Sequence, residues 1–231
     1  ITRQNGISNG NSSTKTYLPD GTLVNSDTTV TSGTSNAINS NNTLLLRKKF
    51  AKKGRTISST ITLGYNESTS NSFQYTDQLT YVNKIITKDS LIDRDSKRTG
   101  NSTNYSANVS YTEPITKKSL LEFNAYLSRS ISNSSKKVYD FNNGSHSYDA
   151  LNTKLTNEYN SDYIYSGGGL NFRGNEKKYT YSVGASLQEA TLAGENISVN
   201  TKLNQSFSDI LPSAMYQYNF SQTNNINFNY I

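Results

Sequence analysis

The chain has 231 residues, of which 32% are apolar and 17% charged, and 23 Lys and Arg against 17 Asp and Glu give a net charge of +6. A mean hydropathy of −0.70 argues against a soluble core of ordinary size, and the absence of cysteine excludes a thiolate metal site or a disulfide framework. Disorder is countered by an 11% aromatic content, 17 Tyr and only 3 Pro, and no apolar run approaches the roughly 20 residues of a transmembrane helix.

In chain order, residues 1–41 are rich in Ser, Thr, Asn and Gly and carry a turn signal at Pro19-Asp20-Gly21. They are expected to form a polar extracellular loop. A weak strand follows at 42–50, blurred by the consecutive Leu44, Leu45 and Leu46. From 57 to 65 the alternation is clear: Ile57, Ser59, Ile61, Leu63 and Tyr65 on one face, Ser58, Thr60, Thr62 and Gly64 on the other. That period of two is the signature of a strand. It recurs in Tyr105, Ala107, Val109 and Tyr111, then in Leu121, Phe123, Ala125, Leu127 and Ile131, with Tyr126 and Arg129 as exceptions. Ile164, Leu170 and Phe172 mark a glycine-rich strand; Tyr179, Tyr181, Val183, Ala185 and Leu187 mark the next. The last two read Ala214, Tyr216, Tyr218, Phe220 and Ile226, Phe228, Tyr230.

The connections alternate between short (51–54, 114–118, 174–176, 222–225) and long polar ones (66–104, 132–162, 189–211). This rhythm predicts an all-β fold: an antiparallel transmembrane β-barrel segment of about eight strands in four hairpins, with short periplasmic turns and long extracellular loops. Segments 73–82 and 138–141 have enough aromatic and β-branched residues to carry strands on above the membrane. The expected lipid-facing residues are Ile57, Ile61, Leu63, Val109, Leu121, Phe123, Leu127, Val183 and Leu187. Phe50, Tyr111, Phe172, Tyr179, Tyr218, Phe220, Phe228 and Tyr230 gather beside short turns, where an aromatic girdle belongs. Lysines cluster at three of those turns, outside the hydrocarbon. A soluble sandwich would alternate in the same way, but its solvent face would normally hold Lys and Glu; here the polar faces of the best strands hold one charge, Glu122.

Four segments carry a resemblance: Leu44-Leu45-Leu46-Arg47-Lys48-Lys49-Phe50-Ala51-Lys52-Lys53-Gly54-Arg55-Thr56, Ser110-Tyr111-Thr112-Glu113-Pro114, Leu211-Pro212-Ser213-Ala214 and Tyr218-Asn219-Phe220-Ser221. Together they resemble the outer-membrane β-barrel family of Bacteroidota, which is related to TonB-dependent receptors. The resemblance implies a fragment, residues 42–231 supplying strands from the middle of a TonB-dependent-type barrel of about 22 strands. For the parent protein it implies a transporter of polar nutrients or siderophores, with the TonB system and a surface lipoprotein as partners. An outer-membrane anchor or adhesin, binding through its long loops, is the other reading. No plug domain, TonB box or signal peptide is recognised in the sequence, and both ends read as cuts in a longer protein. The matching motifs are strand ends and turns, so they transfer no ligand-binding residue.

Chemical sites are sparse. The one histidine, His146, lies in a polar segment with Asp140 and Asp149 as the nearby carboxylates and reads as a surface residue. No nucleophile and base are placed together, so no catalytic residue, enzyme activity or metal is expected. Gly167, Gly168 and Gly169 lack the Lys and Ser/Thr of a phosphate loop and read as glycines that ease bending or close approach within a strand. The expected partner is outer-membrane lipid; neither nucleic acid nor a cofactor is anticipated, since the positive charge sits at turns without a nucleic-acid motif.

Overall fold

In a computed structural model, which describes residues 1–221 and 223–230, the chain forms one antiparallel sheet of ten strands. They are β1 (Thr2–Tyr17), β2 (Leu23–Lys49), β3 (Thr56–Val82), β4 (Ile85–Pro114), β5 (Ser119–Asn142), β6 (Ser147–Leu151), β7 (Asn157–Asn175), β8 (Tyr179–Asn196), β9 (Thr201–Asn219) and β10 (Asn225–Tyr230). Strand order follows the sequence, except that β7 pairs directly with β5 and the short β6 pairs with the outer part of β5. The sheet is open: among the described residues β1 and β10 have one neighbouring strand each.

Ten strands replace the expected eight. The segment 1–41, expected as a loop, pairs as a hairpin: β1 runs against β2 from Thr2↔Asn39 to Tyr17↔Leu23. Its turn falls at the expected Pro-Asp-Gly signal, with Gly21 at φ +83° and the Asp20 carboxylate accepting the Thr22 N–H at 2.9 Å. The three long connections are likewise mostly strand. β3 pairs with β4 over its whole length, from Thr56↔Thr112 to Val82↔Ile85, and the chain reverses at Asn83 and Lys84, both at positive φ (52° and 65°), as in a type I′ two-residue hairpin turn. β8 and β9 pair from Tyr179↔Tyr218 to Asn196↔Thr201. The sixth strand is the further addition. The expectation that 73–82 and 138–141 prolong their strands agrees with the structure. The expected turn at 222–225 contains Gln222, and the closing run contains Ile231; both residues lie outside the described ones.

The sheet is a single layer. Among the described residues the buried apolar side chains are Val138 and Ala190, and the buried polar ones are Thr76 and Asp95. Large apolar side chains stand open instead, Val183 at 59% and Ile210 at 73% exposure among them. Backbone ladders satisfy the main chain, but such a surface in water would be an aggregation hazard. It calls for another covering medium.

A two-faced candidate membrane wall

Register decides which side chains share a face. One cross-strand row joins Ser59, Val109, Ala125, Gly168, Leu187 and Ile210 across β3, β4, β5, β7, β8 and β9. Following the ladders from this row places Ile57, Ile61, Leu63, Val109, Leu121, Phe123, Leu127, Val183 and Leu187 all on one face. Tyr111, Phe172, Tyr179, Tyr218, Phe228 and Tyr230 share it. Phe50 and Phe220 sit one residue beyond the ends of β2 and β9.

On that face an uncharged band begins at the short-turn end. It occupies residues 57–65 of β3, 119–127 of β5, 164–174 of β7 and 179–187 of β8, and the next residues on the same face are Glu67, Arg129, Asp162 and Glu189. Each stretch matches the roughly 9–11 residues with which a tilted strand crosses a bilayer. In the sequence Arg129 interrupts the alternation of its strand. It marks the edge of the band, where its guanidinium donates to the Asp162 carboxylate at 3.0 and 2.6 Å.

The opposite face is hydroxyl- and amide-rich. Thr56 and Thr112 bond at 2.7 Å and Thr43 and Thr62 at 3.4 Å across strands, and Asn66 donates to Asn39. Tyrosines also stand here: Tyr126 stacks on Tyr165 at 5.0 Å between ring centroids, and Tyr165 donates to Gln188 at 3.1 Å. Tyr126 fits because its partner on β7, Gly167, has no side chain. A Cβ on Gly167 would lie 2.4 Å from the Tyr126 hydroxyl and 2.4 Å from the Leu187 carbonyl oxygen. The expected close approach at the glycine run is therefore present. Leu45, Leu203, Phe207 and Leu211 also lie on this face, so polarity is incomplete along β2 and β9.

At the short-turn rim the aromatics contact one another in two groups. Tyr111 meets Phe50 at 6.5 Å and Phe123 at 6.2 Å; on the other side Tyr179 meets Tyr181 and Tyr216, both at 6.2 Å, and Tyr218 meets Phe220 at 4.8 Å. Below Tyr111, the Glu113 carboxylate accepts from Arg55 Nε at 2.7 Å and Nη2 at 2.8 Å, from Lys52 at 2.7 Å and from the Tyr111 hydroxyl at 2.6 Å. The Arg55 hydrogen bonds, then those of Lys52 and Tyr111, hold this carboxyl far below its ordinary value of 4.5. Segments 47–55, 113–122 and 173–178 contain eleven of the 23 basic residues and three of the 17 acidic ones.

The far end is built differently. Arg94 pairs with Asp140 at 2.7 Å, Lys137 with Glu158 at 3.1 Å and Lys202 with Glu195 at 3.2 Å. β6 brings Tyr148 against Phe73 (5.5 Å) and Phe141 (5.2 Å), and its hydroxyl donates to Asp93 at 2.7 Å. That bond, with partial desolvation, pushes the Tyr148 phenol up to about 12. His146 occupies the β5–β6 turn at φ +52°, while Asp140 is engaged by Arg94 and Asn152 and Asp149 by Asn142 and Ser147. Among the described residues no three His, Asp or Glu side chains converge as a metal site.

Residues 48–231 match the model of the outer membrane protein beta-barrel family. No curated protein sequence matches the chain. Among solved structures it is similar to the ferric citrate transporter FecA in its unliganded form, at 12% identity and a TM-score of 0.45, over 99% of this chain and 41% of that one. The chain thus spans less than half the length of that transporter.

Proposed function

From the premise that this chain belongs to the outer membrane protein beta-barrel family and resides in the outer membrane, we propose that it forms part of the wall of a TonB-dependent-receptor-like transporter for polar nutrients or siderophores. The observation that carries this reading is the pairing of an uncharged, bilayer-high band on one face with hydroxyls and amides on the other. The band would meet lipid and the Ser, Thr and Asn face a wet lumen through which polar solutes move. In this reading the nine apolar residues from Ile57 to Leu187 named above are lipid-facing and the rim aromatics form the girdle. The short turns lie in the periplasm, and the two unpaired edges are completed by further strands of the same protein. Energised opening through the TonB system, and capture by a surface lipoprotein, belong to the parent protein, and the wall itself catalyses nothing.

The test compares cells with the full-length protein, cells in which it is deleted, and cells whose proton-motive force is collapsed. Accumulation of a polar solute that falls in both the deletion and the de-energised cells supports the transporter. The long outer extension favours the anchor or adhesin as second reading, because β3 and β4, at 27 and 30 residues, run far past the band. Loss of surface attachment in the deletion, with accumulation unchanged, would select it.

A further inference from the structure

We propose that the short-turn rim is a docking surface for anionic phospholipid, taking the head-group phosphates of the leaflet in which the turns sit. The proposal rests on the wall reading above and adds a lipid preference that a merely apolar band would not have.

Three observations converge. The first is an uncompensated charge. Glu113 and Glu176 engage Arg55, Lys52 and Lys118, but among the described residues Lys48, Lys49, Lys53, Lys117, Lys177 and Lys178 have no carboxylate within 4.0 Å. Elsewhere in the chain acidic residues outnumber basic ones, fourteen to twelve, so the +6 net charge originates at this rim. The second is position. Lys48 pairs in register with Ile57 at the foot of the uncharged face and holds its ammonium 5.4 Å from the Phe50 ring. It therefore stands where a lysine can keep its stem against apolar surface and its charge among head groups.

The third is a shaped recess. Lys52, Lys53, Lys117 and Lys118 line a groove of about 930 Å³ between two turns, together with Ile115. Ile115 is 56% exposed. Cations beside the exposed Ile115 side chain suit a molecule with a phosphate at one end and hydrocarbon at the other better than a free anion or an acidic protein. The turns are also tied together, since Asn175 N–H donates to the Lys118 carbonyl at 2.8 Å and Asn219 N–H to the Lys178 carbonyl at 2.7 Å. The lysines are thus presented on a fixed scaffold, and Thr116 Oγ1 further holds the Lys118 and Ser119 N–H groups at 3.1 Å.

The experiment uses the full-length protein with a fluorophore at Ile115→Cys. It is folded into phosphatidylcholine bilayers containing a small fraction of brominated phosphatidylglycerol or, in parallel, brominated phosphatidylcholine. Stronger quenching by the phosphatidylglycerol is expected, weakening with salt. Each lysine near an anionic surface contributes about fivefold, so replacing Lys53, Lys117, Lys177 and Lys178 by Gln should cut the preference more than about tenfold, and replacing them by Arg should preserve it. Equal quenching by the two lipids, or an unchanged preference in the Gln variant, would overturn the proposal. So would relief of quenching by inorganic phosphate at constant ionic strength, which would reveal a free-anion site. Heat-modifiable electrophoretic migration reports insertion separately: a protein that inserts without lipid preference refutes the docking surface alone, and one that inserts into neither bilayer refutes the wall as well.

Discussion

The two ends of this sheet share strands, ladders and register, yet only one is asymmetric. Near the short turns, one face carries Val109, Leu127, Val183 and Leu187 while the other carries Asn108, Ser128, Ser182 and Ser186. Towards the far end the faces are not divided in this way: charged and polar side chains mix with exposed apolar ones such as Leu91, Val199 and Phe207, and ion pairs, the Tyr148 cluster and small buried spots such as Val138 and Asp95 tie the strands together. In the proposed wall, this contrast lets a continuous backbone ladder cross from one solvent to another. The hydrogen bonds are indifferent to the medium, and the side chains between them are not.

The largest expected effect lies in the band. Val183→Arg puts a charge at the centre of the 179–187 stretch and should destabilise the inserted full-length protein by about 2–4 kcal/mol, while the neighbouring Ser182→Arg, on the opposite face, should cost far less. Denaturant-dependent folding into lipid vesicles measures both, and similar losses would erase the distinction between the faces.

Next comes the far end. Val138 is 1% exposed, so Val138→Ala should cost about 1–3 kcal/mol of local stability. Hydrogen exchange should accelerate in β5 and β6 without any change in insertion. Slower insertion would mean that the two ends fold as one unit, against the comparison.

At the rim, the depressed Glu113 pKa fixes a sign. A carboxyl more acidic in the folded state contributes stability above its ordinary value of 4.5, and that contribution fades as pH falls through the depressed folded value. Exchange in the β2–β3 turn should therefore stay slow on mild acidification, with the advantage of wild type over Glu113→Gln declining only in stronger acid. An advantage unchanged down to strong acid would exclude the clamp. The smallest effect concerns Tyr148, whose phenol should titrate near 12, above an ordinary tyrosine. The sign is opposite: its donation to Asp93 stabilises below pH 10 and is lost as pH rises through 12. Difference absorbance between wild type and Tyr148→Phe reads this directly.

Much of the band was legible in the sequence because water and lipid demand opposite side chains, and alternation records that demand residue by residue. The long strands were not legible for the same reason. Residues 2–17 and 66–72 have Ser, Thr, Asn and Gly on both faces, so pairing leaves no period-two contrast to detect. The Asn83-Lys84 turn was also concealed, since neither residue is the glycine that usually announces positive φ. At the rim the lysine cluster was visible, but the Arg55–Glu113 pairing was not, because 58 residues separate the partners. Nor could Arg129 be recognised as the band's edge until register set it beside β7, where it reaches Asp162.

The most direct test of the two-faced wall exploits the absence of cysteine from these 231 residues, any cysteine elsewhere in the full-length protein being replaced by serine. Single cysteines at 105–112 and 181–188 of the full-length protein, labelled with a fluorophore in bilayers containing brominated lipid, would report lipid contact one residue at a time. Quenching with a period of two is predicted: strong at Ala107, Val109, Val183 and Leu187, weak at Ser106, Asn108, Ser182 and Ser186. Quenching that is uniform along both strands, or strongest at the serines and asparagine, would contradict the account.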